Sequence, residues 1–476
     1  MSVYRSDWKV ERLGDFALHE KGTKPKRSQK NADDVFTCPY VDIQAFEKGI
    51  VKEYTDGYRC VLCEENDFLM VWDGSRSGYV GKAIKGALGS TLMKISFPGI
   101  ETDYAYYFLQ SKYLEINTRA KGTGTPHVDP GILWNYQFAI SPLPEQRAIV
   151  AKLEQLFSEL DNGIACLKKA QEQLKIYRQA VLKQAFEGEL TKAWREQQTN
   201  LPSAQEPLAN IKREREQAAK LQGKKLKPVI PFTQAELDDL PELPDGWRWV
   251  KFGDISDVVR GGSPRPAGDP KYYDGDIPFL KVADITKNDS LYINDYEFSI
   301  KEAGLKKTRQ IQKNTLLLSN SGATLGVPKI TQIEATINDG IAAFLDLDTR
   351  SLFYAYYFWR SKTTELRRVN QGAAQPNLNT DLIKAVAYPL CGFDEQSQIV
   401  QEIETRLSVC DNIESTIRES LEKAEALRQS ILKKAFEGKL LSEEELQITR
   451  NAPDWEPAEK ILEHIRAEKR TARKKH

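Results

Sequence analysis

The 476-residue chain is poor in the residues that hold metals, with six cysteines and four histidines. Cys60 and Cys63 form a C-x-x-C with no second pair, and His19, His127, His464 and His476 stand far from one another. A structural zinc site needs four Cys or His ligands, so the pattern fits thiols buried on a strand better than a metal centre or redox chemistry. No apolar run approaches the roughly 18 to 20 residues that a membrane-spanning helix requires. The first residues, Met-Ser-Val-Tyr-Arg-Ser-Asp-Trp-Lys, have no apolar stretch after their charges, so a cytoplasmic location is expected. Net charge is missing as well: 68 basic side chains balance 68 acidic ones, which excludes a wholesale polycation. Nucleic-acid binding stays open, because phosphate contacts need Lys and Arg clustered locally rather than in excess overall.

Catalytic motifs are also lacking. Residues 78–90 are glycine-rich but have no Gly-Lys-Ser/Thr ending of a phosphate loop, and no Gly-x-Gly-x-x-Gly follows a strand. The Asn/Asp-Pro-Pro-Tyr/Phe signature of amino-methyltransferases does not occur. Glu437-Gly-Lys439 resembles a nuclease tripeptide, yet it falls at a helix end and Glu189 replaces the lysine in a second copy. A non-catalytic chain that binds no metal or cofactor of its own is expected. Its length implies two or more domains, and 29% charged with 40% apolar residues describes globular domains with long polar helices.

What is present is a repeat at an offset of 250 residues. Ala105-Tyr-Tyr-Phe108 returns as Ala355-Tyr-Tyr-Phe358, Gly122 as Gly372, Pro126 as Pro376, Glu145-Gln146 as Glu395-Gln396, Asp161-Asn162 as Asp411-Asn412, and Ala185-Phe-Glu-Gly188 as Ala435-Phe-Glu-Gly438. The agreement is strongest over 145–190 against 395–440 and poor over the first hundred residues against 245–350. Two homologous halves therefore carry matching scaffolds with unlike attachments.

Each matched segment reads as one long helix. Ile149, Leu153, Leu156, Leu160, Gly163, Leu167, Ala170, Leu174, Tyr177 and Val181 step by four and three, a heptad seam. The second copy keeps the step with Ile399, Ile403, Cys410, Ile413, Ile417, Ala424, Leu427 and Ile431, interrupted by Arg406 and Ser420. Pro144 suits the start, and Gly188 suits the C-cap. Such a stripe cannot be buried alone: the simplest partner is the other copy, running antiparallel, and the alternative is each helix's own globular domain. Polar segments follow both helices, Leu208-Ala-Asn-Ile-Lys-Arg and Lys460-Ile-Leu-Glu-His-Ile, at an offset of 254, and the first leads through a Lys/Pro-rich linker into Trp247.

The variable regions read as α/β (α+β) domains. Strands are predicted over residues 40–43, 67–72 and 91–97 in the first and over 277–282, 315–319 and 342–347 in the second, each followed by an aromatic helix, from Tyr104 and from Phe353. The aromatic clusters read as core. The boundaries expected are 1–143 and 243–393 for the two variable domains, 144–190 and 394–441 for the long helices, 191–242 for a polar helix and linker, and 442–476 for a polar tail.

The remaining candidates are polar, glycine-rich loops with local positive charge. The first half offers Lys24, Lys26 and Arg27; Ser75, Arg76 and Lys82; and Lys121, Thr123 and His127. The second offers Arg260, Ser263 and Arg265; Asn320 and Ser321; and Arg368, Gln371 and Asn377. Arg and Lys can pair with guanine edges or phosphates, Asn and Gln suit adenine, and Gly lets backbone approach the sugar-phosphate chain.

The whole pattern resembles the specificity subunit of type I restriction-modification systems. The resemblance rests on the Glu-Gln helix starts at Pro144-Glu-Gln146 and Asp394-Glu-Gln396, the Arg-Gln-x-[Ile/Val]-Leu-Lys-x-Ala-Phe-Glu-Gly endings at residues 178–188 and 428–438, and the loop Arg260-Gly-Gly-Ser-Pro264. The first domain departs from that opening loop with Gly22-Thr-Lys-Pro25. The resemblance implies two target-recognition domains that read a split, asymmetric DNA site, and paired helices that fix the unread spacing. It also implies docking of two methyltransferase subunits for adenine N6 modification and of restriction subunits, with S-adenosylmethionine, ATP and magnesium held by those partners. The competing reading is a coiled-coil adaptor that joins proteins and ignores DNA.

Overall fold

The computed structural model describes residues 4–475, apart from 123, 201–202, 222, 224–228, 323 and 370–377. It divides into two compact units, residues 1–168 with 418–476, and residues 169–417. The division cuts both long helices, Leu143–Phe186 and Phe393–Phe436, rather than falling at their ends.

In the first unit, Lys9–Arg12 pairs antiparallel with Gln137–Ile140, closing the domain at the entry to the first long helix. One sheet runs in the order Leu18–Lys21, Leu92–Ser96, Phe68–Val71, Val80–Lys82, all antiparallel. A second sheet is built on Cys38–Val41 parallel to Gly86–Leu88, with Leu62–Cys63 and Tyr54–Thr55 alongside. The predicted helix from Tyr104 is Thr102–Thr118, and its aromatics are core: Tyr104 and Phe108 pack on Phe138 and on Phe436. Cys63 lies buried on a strand as expected, its Sγ donating to the Gly86 carbonyl, whereas Cys60 precedes that strand in a turn.

The second unit repeats this plan. Arg248–Lys251 pairs with Ala387–Leu390, and the strands Asp257–Arg260, Ile341–Leu345, Leu316–Ser319, Pro328–Thr331 follow the first unit's order, with Tyr292–Ile293 added as a fifth, parallel strand at the edge. Tyr273–Leu280 runs parallel to Ala335–Ile337, as Cys38–Val41 does to Gly86–Leu88. The variable domains are thus one fold. Their likeness in sequence hides at an offset of 239, not 250: Trp8, Gly14, Gly22 and Pro25 fall on Trp247, Gly253, Gly261 and Pro264. An eleven-residue shift breaks the gapless register, which is why the first hundred residues look unrelated.

Both expected partners of the helix stripe are found. Ile149, Leu153 and Phe157 join the first unit's globular core together with Ile431, Leu432 and Phe436 of the second helix. Val181, Leu182 and Phe186 join the second unit's core with Ile399 and Ile403. Within each unit the start of one long helix lies beside the end of the other, so the pairing is antiparallel.

The seam itself is displaced from the sequence reading. It runs Leu153, Phe157, Leu160, Ile164, Leu167, Gln171, Leu174, Arg178, Val181, Ala185, and 250 residues on Ile403, Leu407, Cys410, Glu414, Ile417, Leu421, Ala424, Arg428, Ile431, Ala435. Leu160, Leu167, Leu174, Ile417 and Ile431 hold their expected places, and Leu156 is half-buried beside them. Ile413 and Leu427 do not: they are 43% and 50% exposed, because the inward positions are taken by Glu414 and Arg428. These charged residues look wrong for a seam until their ion partners are known. Each helix ends on a left-handed glycine, Gly188 or Gly438, and the Glu189 amide reaches back to the Gln184 carbonyl.

The polar segments after the helices are packed, not free tails. Ala204 and Ile211 enter the second unit's core, Ala458 and Ile465 the first unit's, at the same offset of 254. Arg215 donates to the carbonyls of Gly253 and Asp254 at 2.9 and 2.8 Å.

Candidate nucleic-acid interface

In the first unit the opening loop is pinned by backbone bonds. The Gly22 amide donates to Leu92 O at 3.0 Å and Thr23 to Leu88 O at 3.1 Å, and a Cβ on Gly22 would lie 2.2 Å from Gly89 O. In the second unit Gly261 and Gly262 make the same bonds, to Ile341 O and Ile337 O at 3.0 Å, with a Cβ on Gly261 again 2.2 Å from a carbonyl. Gly22-Thr-Lys-Pro25 is therefore the first domain's copy of the opening loop. Lys21, Lys24 and Lys26 stand where Arg260, Ser263 and Arg265 stand.

Two further loops meet this one in the first unit. Gly74 N donates to Pro126 O at 2.7 Å, Val128 N to Trp72 O at 2.9 Å, and Lys121 and His127 exchange backbone bonds. The Asn117 amide holds the carbonyls of Ser75 and Ser77, each at 3.0 Å, and Lys21 pairs with Asp73 at 2.8 Å. The loops so joined carry Lys24, Lys26, Ser75, Lys121 and His127, with Lys121 paired to Asp129. In the second unit Asn320 N donates to Gly340 O and Leu378 N to Asn320 O, placing Ser321 and the 338–340 turn beside Arg260, Ser263 and Arg265. A cavity of about 300 Å³ opens there, lined among others by Ser263, Arg265, Lys281 and Asp339.

Some expected residues go elsewhere. Lys82 pairs with Asp103 at 2.8 Å, at the opposite end of the helix Thr102–Thr118 from Asn117. Arg76 turns to Glu47 at 2.9 Å and covers the Tyr79 ring. Arg27 lies near Asp56 and over Phe36. Asn320 is fully buried, and neither end of its amide finds a partner among the described residues. Arg368 is exposed at the end of Leu352–Val369, and Thr123, Gln371 and Asn377 lie outside the described residues. Sequence reasoning missed Asp339, whose carboxylate accepts from Ser263 Oγ at 2.7 Å and faces Arg265 at 3.7 Å, and whose carbonyl accepts from Arg260 Nε at 2.5 Å. The Asn-Asp-Gly turn that carries it was the available signal.

The same fold place bears different side chains in the two units: Trp72 against Asn320, Lys24 against Ser263, Lys26 against Arg265. Trp72 stacks toward Trp134, which in turn stacks on His19 at 4.5 Å between centroids, an apolar buttress with no amide counterpart. Twin scaffolds presenting unlike polar loops are what a reader of two different half-sites requires. Among the described residues no helix is long and apolar enough to cross a membrane, and no group of three or more His, Cys, Asp or Glu could hold a metal ion.

Two α/β domains joined to paired antiparallel helices is also the fold of solved chains from type I restriction-modification systems. One, from work on complex assembly and conformational transition of the type I R-M system, matches with a TM-score of 0.66 at 20% identity over 92% of this chain and 99% of that one. The HsdS subunit from Thermoanaerobacter tengcongensis matches with a TM-score of 0.52 at 20% identity, over 92% and 98%. The chain belongs to the family described as type I restriction modification DNA specificity domain, which matches twice, at residues 5–169 and 244–423. Similar proteins include the type I restriction enzyme MjaVIII specificity subunit of Methanocaldococcus jannaschii, 24% identical over 91% of this chain and 93% of that protein. The EcoBI specificity subunit of Escherichia coli is 26% identical over 77% and 71%.

Proposed function

We propose that this chain is the DNA-recognition subunit of a type I restriction-modification complex and reads a bipartite, asymmetric site, one half with each variable domain. The observation that carries this reading is the pairing of one fold with two different loop clusters: identical backbone bonds hold Gly22 and Gly261, while the side chains around them differ. Two weak half-site contacts on a common support act together at high effective concentration, so specificity rises beyond either alone. The 44-residue helices would fix the number of base pairs left unread.

Partner binding has support in the displaced seam. Tyr177 and Ile413 stay exposed on one flank of the helix pair in the second unit, and Leu427 stays exposed on the corresponding flank in the first. Apolar residues left open along a paired helix suit further helices from another subunit. On this reading two methyltransferase subunits dock there, supplying S-adenosylmethionine-dependent adenine N6 methylation, with restriction subunits adding ATP- and magnesium-dependent translocation and cleavage. This chain would hold no cofactor itself. A protein adaptor indifferent to DNA has no such need for unlike polar loops.

Duplex binding by the assembled complex, titrated with salt, separates the two readings. A reader loses affinity steeply between about 50 and 200 mM salt, and an adaptor shows no binding at either. Mapping methylated adenines in host DNA with and without the chain then gives the half-sites.

A further inference from the structure

The two opening loops also differ in how the donors at their tips are engaged. In the second unit Ser263 Oγ donates to Asp339 Oδ1 at 2.7 Å, and Arg265 Nη2 lies 3.7 Å from Oδ2. A hydroxyl and a guanidinium directed at one anionic group are also the donors that hold a backbone phosphate. In the first unit the place of Asp339 in the turn is taken by Ser90, since Leu88, Leu92 and the opening glycine keep the same backbone bonds as Ile337, Ile341 and Gly261. Lys24 and Lys26, both exposed, have no ion-pair partner among the described residues.

We propose that Asp339 is a specificity-determining latch: its carboxylate occupies the phosphate's donors in the second domain until a matching duplex displaces it, whereas the first domain's loop is open to any duplex. The physical reason is competition. An internal carboxylate at fixed distance lowers the gain from a phosphate, so poorly seated DNA fails to displace it while a well-seated half-site does. Arg265 is 71% exposed and Asp339 44%, so both can exchange partners without opening the core. The first domain then supplies the general hold, and the second engages after it.

This inference rests on the reading of the chain as a DNA reader, and the test keeps the two apart. The assembled complex is titrated against a fluorescent mixed-sequence duplex and against a duplex carrying its mapped methylation site, over a range of salt. Asp339→Asn and Asp339→Ser should bind the mixed-sequence duplex several-fold more tightly, with the log–log salt slope steeper by about one unit for the freed cation. The preference for the mapped site should narrow. Ser90→Asp, which installs the carboxylate in the first domain, should do the opposite and does not depend on the Asp339 variants folding. Unchanged affinity and slope in all three variants would overturn the latch, and so would loss of binding in both Asp339 variants, which would make the carboxylate a direct contact. If the unaltered complex shows no salt-dependent duplex binding, the DNA reading itself fails and the latch with it.

Discussion

Arg178 of the first long helix donates to Asp411 of the second at 2.7 Å and to Glu414 at 2.9 Å, within the second unit. In the first unit Arg428 donates to Asp161, and its guanidinium lies 4.5 Å from the Phe157 ring centre. The two ion pairs are the same pair with the helices exchanged, because 178 and 428, like 161 and 411, differ by 250. Both arginines sit at seam positions where an apolar residue is the usual choice. They cost packing and fix register, since a helix slipped by one heptad would leave a guanidinium half-buried without its carboxylate. Asp411 is 69% exposed against 20% for Arg178, so solvent screens the attraction. A double-mutant cycle of Arg178→Ala and Asp411→Ala, read by denaturant unfolding, should give a coupling of about 0.5 to 1 kcal/mol. The exchanged pair Arg178→Asp with Asp411→Arg should recover most of it. A coupling of zero would remove the register role.

Glu145 and Glu395 are a second twin pair with unequal surroundings. Both accept a hydrogen bond from a tryptophan, Trp8 at 2.9 Å and Trp247 at 2.8 Å. Glu395 also accepts from Arg195 at 2.5 Å and Thr191 at 2.8 Å, while Glu145 Oε1 is buried without a partner among the described residues. Burial pushes the Glu145 carboxyl above its ordinary value, against the opposing effect of Trp8. A carboxyl raised on folding contributes stability below its unfolded pKa and loses it as pH rises through the folded one. Glu145→Gln should therefore raise the unfolding midpoint at neutral pH. The gain should close as pH falls below the ordinary glutamate range. Glu395→Gln should instead destabilise by about 2 kcal/mol, because Arg195 loses its charged partner. Thermal unfolding of both variants across that pH range checks the contrast, and equal shifts would refute it.

The fold was legible where residues repeat at constant spacing and illegible where charge or an insertion broke the pattern. Ala105-Tyr-Tyr-Phe108 and its copy announced the aromatic helices and their burial. The seam was read one position off at Ile413 and Leu427 because hydrophobicity alone ranks them above Glu414 and Arg428. Only a partner across the seam makes a charged inward position acceptable, and that partner lies more than two hundred residues away. The common fold of the variable domains escaped notice for a different reason, the eleven-residue shift between Pro25 and Glu145. Loop composition pointed to the opening loops and the 73–77 and 121–127 segments, but it could not tell Lys82, which turns to Asp103, from Lys24, which has no ion-pair partner among the described residues.

That last difference is itself testable. Lys24 and Lys26 sit on the pinned opening loop, and Lys82 lies at the far end of the helix that anchors the 73–77 loop. Lys24→Ala and Lys26→Ala should each weaken duplex binding and reduce the salt slope by about one. Lys82→Ala should leave both unchanged. A drop with Lys82→Ala equal to that of the opening-loop variants would mean that the duplex lies across a different face.

The exposed seam flank leads to the final expectation. Tyr177 and Ile413 occupy equivalent heptad positions on the two long helices, as do Gly163 and Leu427 250 residues away in either direction, so the second unit's flank carries two large apolar side chains and the first unit's carries one. Covering the exposed half of such a side chain with a partner contributes about 1 kcal/mol, and both residues lie outside the inward positions of the pair. Ile413→Glu should therefore leave the chain's own unfolding midpoint within about 0.5 kcal/mol while weakening capture of a methyltransferase subunit, and Tyr177→Glu should do the same. Leu427→Glu should affect the other copy. Native mass spectrometry of the reconstituted complex distinguishes the outcomes. Loss of one subunit from the Ile413 or Leu427 variant, and of both from the double variant, fits two docking flanks of unequal strength. Retention of both subunits by the double variant would place the docking surface elsewhere on the chain.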